Sequence, residues 1–382
     1  MSLKEVFITR TAAFLPNEPI SNDEMETYLG FINEQASKSR RIVLRNNGIK
    51  NRHYAMTKNG EATHTNAQLA AIAVEKLFEK NPNELKEIDV LSCGTSSPDQ
   101  LMPSHGVMVH GWLTNSNNIE VISPSGNCCS GMHALKYNYM AIKAGEAHKT
   151  VSTGSERLSR IMRAEQFELE VKKREELEEN PYISFEKDFL RWMLSDGSAA
   201  FLIEDKKNEE GISLRIDWIE GFSFANQVET CMYMGSEKQE NGELKGFSDF
   251  TPQEAIERSI YSIKQDVKLL GENIVKLGFK NLEVIFKNRG IDVNMVDHFL
   301  PHMSSYFFED KIYNELKSNG MEIPKEKWFT NLENCGNVGA ASVYLMVDDL
   351  WKSGKLKLGD TILVAVPESA RFTYVFAMFT VV

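Results

Sequence analysis

Cysteine is scarce, with five in 382 residues: Cys93, Cys128, Cys129, Cys231 and Cys335. An odd count with no Cys-x-x-Cys spacing argues against a disulfide framework and against a zinc site, so each thiol is a small buried filler or a reactive group. No metal is expected. Long apolar runs are missing too: none approaches the ~18 residues that span a bilayer. The opening residues, MSLKEVFITR, carry charge where a signal core would be apolar. A soluble, cytoplasmic chain without a membrane partner is expected. Basic charge is in deficit as well, 43 Lys and Arg against 54 Asp and Glu, for a net −11. That balance argues against broad nucleic-acid binding, because phosphate affinity depends on basic charge.

What remains is ordinary globular material, 42% hydrophobic and 25% charged, long enough for two or three domains. Short β-rich runs at 6–8, 88–93, 120–122, 150–153, 199–203, 212–219, 296–300, 361–366 and 371–381 alternate with helical patterns at 66–78, 131–144, 252–270, 305–319 and 342–353. Such alternation predicts an α/β layered fold. The apolar-free stretch EDKKNEEG at 204–211 divides the chain into halves, 1–205 and 206–382. Both halves repeat landmarks. Asp89 precedes Ser96 and Ser97 at the spacing by which Asp297 precedes Ser304 and Ser305, and Asn127-Cys128 is echoed by Asn334-Cys335. An internal duplication is therefore expected. The segment 157–192, with EVKKREELEE followed by YISFEKDFLRW, has no counterpart and reads as an inserted cap or dimer arm.

The stretch from Glu120 through SPSGNCCSGMHAL carries the most chemistry. A strand ends near Ser123 and a helix begins near Cys129, so a thiol here sits at the positive end of the helix dipole, which favours its thiolate. Either cysteine can be the nucleophile. Cys129, nearer the first turn, is the better candidate, and Cys128 is expected to point the opposite way, into the protein. His302 follows the strand at 296–300, at the carboxyl end where α/β sheets place chemistry. Asn337 lies in the Gly- and Ala-rich loop NCGNVGAAS. These strand-end loops should converge at one centre. The other histidines have no partner pattern.

Cys129-Ser130-Gly131, Leu300-Pro301-His302 and Gly336-Asn337 with Ala340-Ala341-Ser342 resemble the three motifs of β-ketoacyl-acyl-carrier-protein synthase III, a branch of the thiolase-fold condensing enzymes. Further matches in family order are GIKNRH at 48–53, Gly94-Thr95-Ser96, Gly154-Ser155-Glu156 and SDGSAA at 195–200. The resemblance implies a thiolase-like fold of two duplicated α/β halves in αβαβα layers, and a homodimer. It implies that Cys129 takes an acyl group from a coenzyme A or acyl-carrier-protein thioester. His302 and Asn337 then hold the carbonyl oxygen of a second thioester, malonyl or β-ketoacyl, while a Claisen-type carbon–carbon bond forms. Two neutral donors suit a developing enolate oxyanion, since they add no competing negative charge. No cofactor beyond these thioester substrates is implied.

Three departures bear on substrate binding. A Trp that stacks on the coenzyme adenine in the family is replaced by Arg41, and Phe307 stands where a carrier-docking Arg is common. Pro367-Glu368-Ser369-Ala370 replaces a Gly-rich loop expected to supply the second oxyanion donor, so Ser369 and Ala370 are candidates for substrate contact. The acid-free segment 38–52, with Arg41, Arg45 and Arg52, is a candidate receiver for a phosphopantetheine phosphate or an acidic carrier protein. The insertion and altered loop resemble specialised members, such as those forming dialkylresorcinols. A Cys–His–Asn thioester hydrolase and a non-catalytic partner subunit are the competing readings.

Overall fold

The computed structural model describes residues 3–176 and 183–382. Nine strands form the main sheet: β1 Phe7–Phe14, β2 Val90–Gly94, β3 Glu120–Ile122, β4 Lys149–Glu156, β5 Gly197–Glu204, β6 Leu214–Ser223, β7 His298–Pro301, β8 Thr361–Glu368 and β9 Thr373–Val381. Their order is β7-β8-β9-β6-β1-β5-β4-β2-β3. Outward from β1, the pairings with β5, β4 and β2 run antiparallel, antiparallel and parallel; outward from β6, those with β9, β8 and β7 follow the same sequence. The two half-sheets join through β1 and β6, which pair at Phe7↔Arg215 and Ile8↔Leu214.

The helices that matter for the site are α1 Arg40–Asn47, α2 Asn66–Leu77, α3 Ser130–Ala144, α4 Glu168–Glu176, α5 Ile183–Arg191, α6 Val267–Arg289, α7 Glu309–Ser318 and α8 Ser342–Lys352. Three apolar clusters define the layers. The middle one holds Met132, Leu135 and Ile142 of α3 with Val343, Met346 and Leu350 of α8, and both half-sheets contribute to it. The outer clusters hold α2 against the first half-sheet and α6 with α7 against the second. The result is the thiolase-like αβαβα arrangement of two duplicated halves. Met132, Leu135, Tyr139 and Ile142 recur at helical spacing, which gives α3 one buried stripe. Gly145, at φ 86°, ends α3 in the left-handed region open to glycine.

Two expectations change. The pattern at 252–270 is not one helix: Pro252–Glu257 is a short helix, Ser259 turns the chain at φ 48°, and Lys264–Gln265 is extended. Asp266 then caps the 23-residue α6, its side chain accepting from the Leu269 N–H at 2.9 Å. Of the inserted segment, residues 177–182 lie outside the described residues, so the arm's reach is not described. Its described flanks are pinned to the body. Lys187 Nζ donates to the Ile263 carbonyl at 2.8 Å, and Arg191 donates to the carbonyls of Met162 and Gly30.

Candidate active site

Three chain segments converge on one cavity. The first is the loop between β3 and α3. The second is His302, one residue beyond β7, whose backbone N–H donates to the Ala365 carbonyl of β8 at 2.8 Å. Asn337 supplies the third. Its backbone is paired to the end of the insertion, Asn337 N–H to Met193 O at 2.8 Å and Ser195 N–H to Asn337 O at 2.9 Å. The Asn337 Oδ1 accepts from the Gly339 N–H at 2.9 Å, which leaves the amide nitrogen as the free end of the side chain. Glu156 holds this loop against the first half, accepting from the Ala340 N–H at 3.1 Å and the Ser96 N–H at 3.0 Å.

The cavity measures about 370 Å³, within the usual range for small-molecule sites. Cys128, His302, Asn337, Glu368, Ser369 and Ala370 form its polar head, while Leu190, Met193, Leu270, Ile274 and Phe279 are among its apolar walls. Leu158, Ile161 and Leu190 bring the inserted segment into that wall. His302 is buried, and burial pushes its imidazole down to about 4, so it is neutral near pH 7.

The two cysteines differ in burial and in their neighbours. Cys129 is fully buried, its Sγ 3.3 Å from the Val366 carbonyl and 3.6 Å from that of Thr373, and it packs in the middle core with Met132 three residues on. Cys128, one residue earlier in the turn that leads into α3, is half-buried and lines the cavity. Neither thiol is pre-ionised. Burial, and next the charge of Glu368, raise both. The helix dipole does not prevail, because the Glu368 Oε2 already accepts the N–H groups of Asn127 and Cys129, each at 3.0 Å. Glu368 thus occupies two backbone amides at the start of α3. A lone acid in place of a Gly-rich loop was its only signal in the sequence.

Ser369 and Ala370 lie on the cavity, as the altered loop suggests, though the Ala370 carbonyl is taken by the N–H groups of Cys231 and Met232. Arg52 is a correction. It is fully buried, its guanidinium bound to the Trp192 carbonyl and to Asn22 Oδ1, so it braces the fold and faces no phosphate. Arg41 and Arg45 are exposed on α1, away from the cavity lining. Phe307 is exposed too, with Lys311 Nζ 4.0 Å above its ring. Among the described residues no group of His, Cys, Asp and Glu could hold a metal, and no helix is long and apolar enough to cross a membrane.

The layered halves are those of the thiolase-like fold, and a thiol, an imidazole and a carboxamide are among the groups that line one apolar cavity. Residues 286–367 match the family described as 3-oxoacyl-(acyl-carrier-protein) synthase III, C terminal. The chain is 23% identical over 357 residues to β-ketoacyl-(acyl-carrier-protein) synthase III of Anaplasma marginale, covering 92% of each. Among solved structures it resembles AbyA1, a tetronic acid condensing enzyme, with a TM-score of 0.74 at 18% identity over 98% of this chain and 99% of that one. It likewise resembles an OleA variant of Xanthomonas campestris solved with lauric acid and lauroyl-coenzyme A, with a TM-score of 0.74 at 17% identity over 99% of each. The chain is thus similar over nearly its whole length to synthase III-like ketosynthases, whose named relatives are acyltransferases.

Proposed function

We propose that the protein is a condensing acyltransferase. An acyl group moves from a coenzyme A or carrier-protein thioester to a thiol at the start of α3, and the α-carbon of a second thioester then attacks it. The observation that carries this reading is that Cys128, His302 and Asn337 share the polar head of one apolar cavity. A neutral imidazole and a free amide N–H₂ suit the enolate oxygen of the second thioester. The apolar walls suit an acyl chain, and the lauroyl ligands of the OleA structure fit that assignment. Exposed Arg41, Arg45 and Lys311 are the docking charges proposed for an acidic carrier protein. Leu158, Ile161 and Leu190 of the inserted segment wall the acyl-chain site, and a homodimer in the cytoplasm, working on a specialised product such as a dialkylresorcinol, completes the proposal.

Cys128 is taken as the acyl acceptor because it faces the cavity. A second reading keeps the acyl group on Cys129, favoured by the motif Cys129-Ser130-Gly131; it requires Glu368 and the Val366 and Thr373 carbonyls to release that residue. The test of condensation is a product assay with two thioesters. A new carbon–carbon-linked product supports the proposal, whereas free acid alone makes the protein a hydrolase.

A further inference from the structure

Among the described residues Glu368 is the one acid in the cavity lining, and none of them there is a lysine or arginine. Its Oε2 is held by two backbone N–H groups at the head of α3, and no hydrogen bond to Oε1 is found among the described residues. One oxygen therefore anchors the carboxylate, and Glu368 lines the same cavity as Cys128, His302 and Asn337. We infer that Glu368 is the base that takes the α-proton of the second thioester, and that this substrate is uncharged at its α-carbon, an acyl or β-ketoacyl thioester rather than a malonyl one. This inference rests on the condensing reading above.

Electrostatics favour the assignment. A malonyl carboxylate in this cavity would share it with Glu368, and among the described residues of the lining no lysine or arginine offsets two like charges. An uncharged α-carbon meets no such repulsion, yet it needs a base because no carboxylate leaves. Burial also inverts the usual order of basicity, raising Glu368 and lowering His302 to about 4, which leaves the imidazole a donor.

The step balances. The α-C–H bond breaks, its proton goes to Glu368 Oε1, and its electron pair forms the enolate whose oxygen His302 and Asn337 hold. The enolate carbon attacks the acyl carbonyl, the carbon–carbon bond forms and the carbon–sulfur bond breaks. The pair departs on sulfur, and the Glu368 acid returns its proton there. The raised thiol pKa favours that return.

The test is incubation of the protein with octanoyl-coenzyme A in D₂O, reading deuterium at C2 by mass spectrometry and the acyl adduct in parallel. Wild type should incorporate deuterium, Glu368→Gln should slow incorporation by about 100-fold or more, and Glu368→Asp should recover part of it. Exchange by Glu368→Gln at the wild-type rate would overturn the inference. So would wild type that forms the adduct but exchanges nothing, or that condenses malonyl-coenzyme A with release of CO₂. Wild type that forms no adduct at all would instead overturn the condensing reading itself.

Discussion

Gly131→Ala tests the convergence of the two halves most sharply. A Cβ at this position would lie 2.4 Å from the Ala340 carbonyl oxygen and 3.1 Å from the Tyr344 ring. A carbon–oxygen contact normally begins near 3.3 Å, so α3 and the 336–342 loop must separate by roughly 0.9 Å. Both neighbours are main chain or a fully buried ring whose hydroxyl donates to the Gly131 carbonyl at 2.7 Å, so neither yields cheaply. Overpacking of this kind costs about 1–3 kcal/mol, a fall in Tm of a few degrees for a chain of this size. The same shift moves Cys128 on one side and Asn337 on the other, and a misplacement near 1 Å lowers a rate by about 100-fold. Thermal unfolding and a two-thioester condensation assay read the two effects. Gly111→Ala, at an exposed position of the helix His105–Trp112 with no atom within 4 Å of the added carbon, is the control and should be neutral or slightly stabilising. A Gly131→Ala protein with wild-type Tm and rate would refute the close approach of α3 to the Asn337 loop.

Other outcomes follow from burial and charge. His302 and His105 are each held down to about 4 by burial. Below 6.5 the unfolded chain binds protons that the folded one refuses, so stability is intact above pH 6.5 and falls on the order of 3 kcal/mol per histidine as pH approaches 4. Denaturant titrations at pH 7 and pH 4.5 measure this. Arg52→Ala should lower stability by about 3 kcal/mol, because it strips charged hydrogen bonds from buried carbonyls. Arg41→Ala and Arg45→Ala should leave Tm unchanged and weaken carrier-protein binding, as a salt-dependent titration would read. Ile274→Trp, on the apolar wall, should shift the preferred acyl chain to shorter lengths in a donor panel.

Much of the fold was written in periodicity. Strand runs at 88–93 and 361–366 fall on buried strands, and the apolar stripe of 131–144 reproduces α3. The start of α6 was hidden because 252–266 keeps helical spacing while Ser259 and the 264–265 strand break it. At the site, His302 and Asn337 were legible from strand-end and glycine-loop context. Which of two adjacent thiols faces the cavity was not, since the turn that leads into α3 decides it and the motif says nothing of Glu368 sitting on the Cys129 amide. Arg52 misled for a related reason: a basic run signals charge, and only packing reveals which guanidinium is buried against the Trp192 carbonyl.

The most direct test of the account is peptide mapping of the acyl group after incubation with an isotope-labelled acyl-coenzyme A. The label should sit on Cys128 in wild type, vanish in Cys128→Ala and persist in Cys129→Ala. Label on Cys129 would contradict the cavity assignment of the nucleophile, and label on neither thiol would contradict acyl transfer at this site.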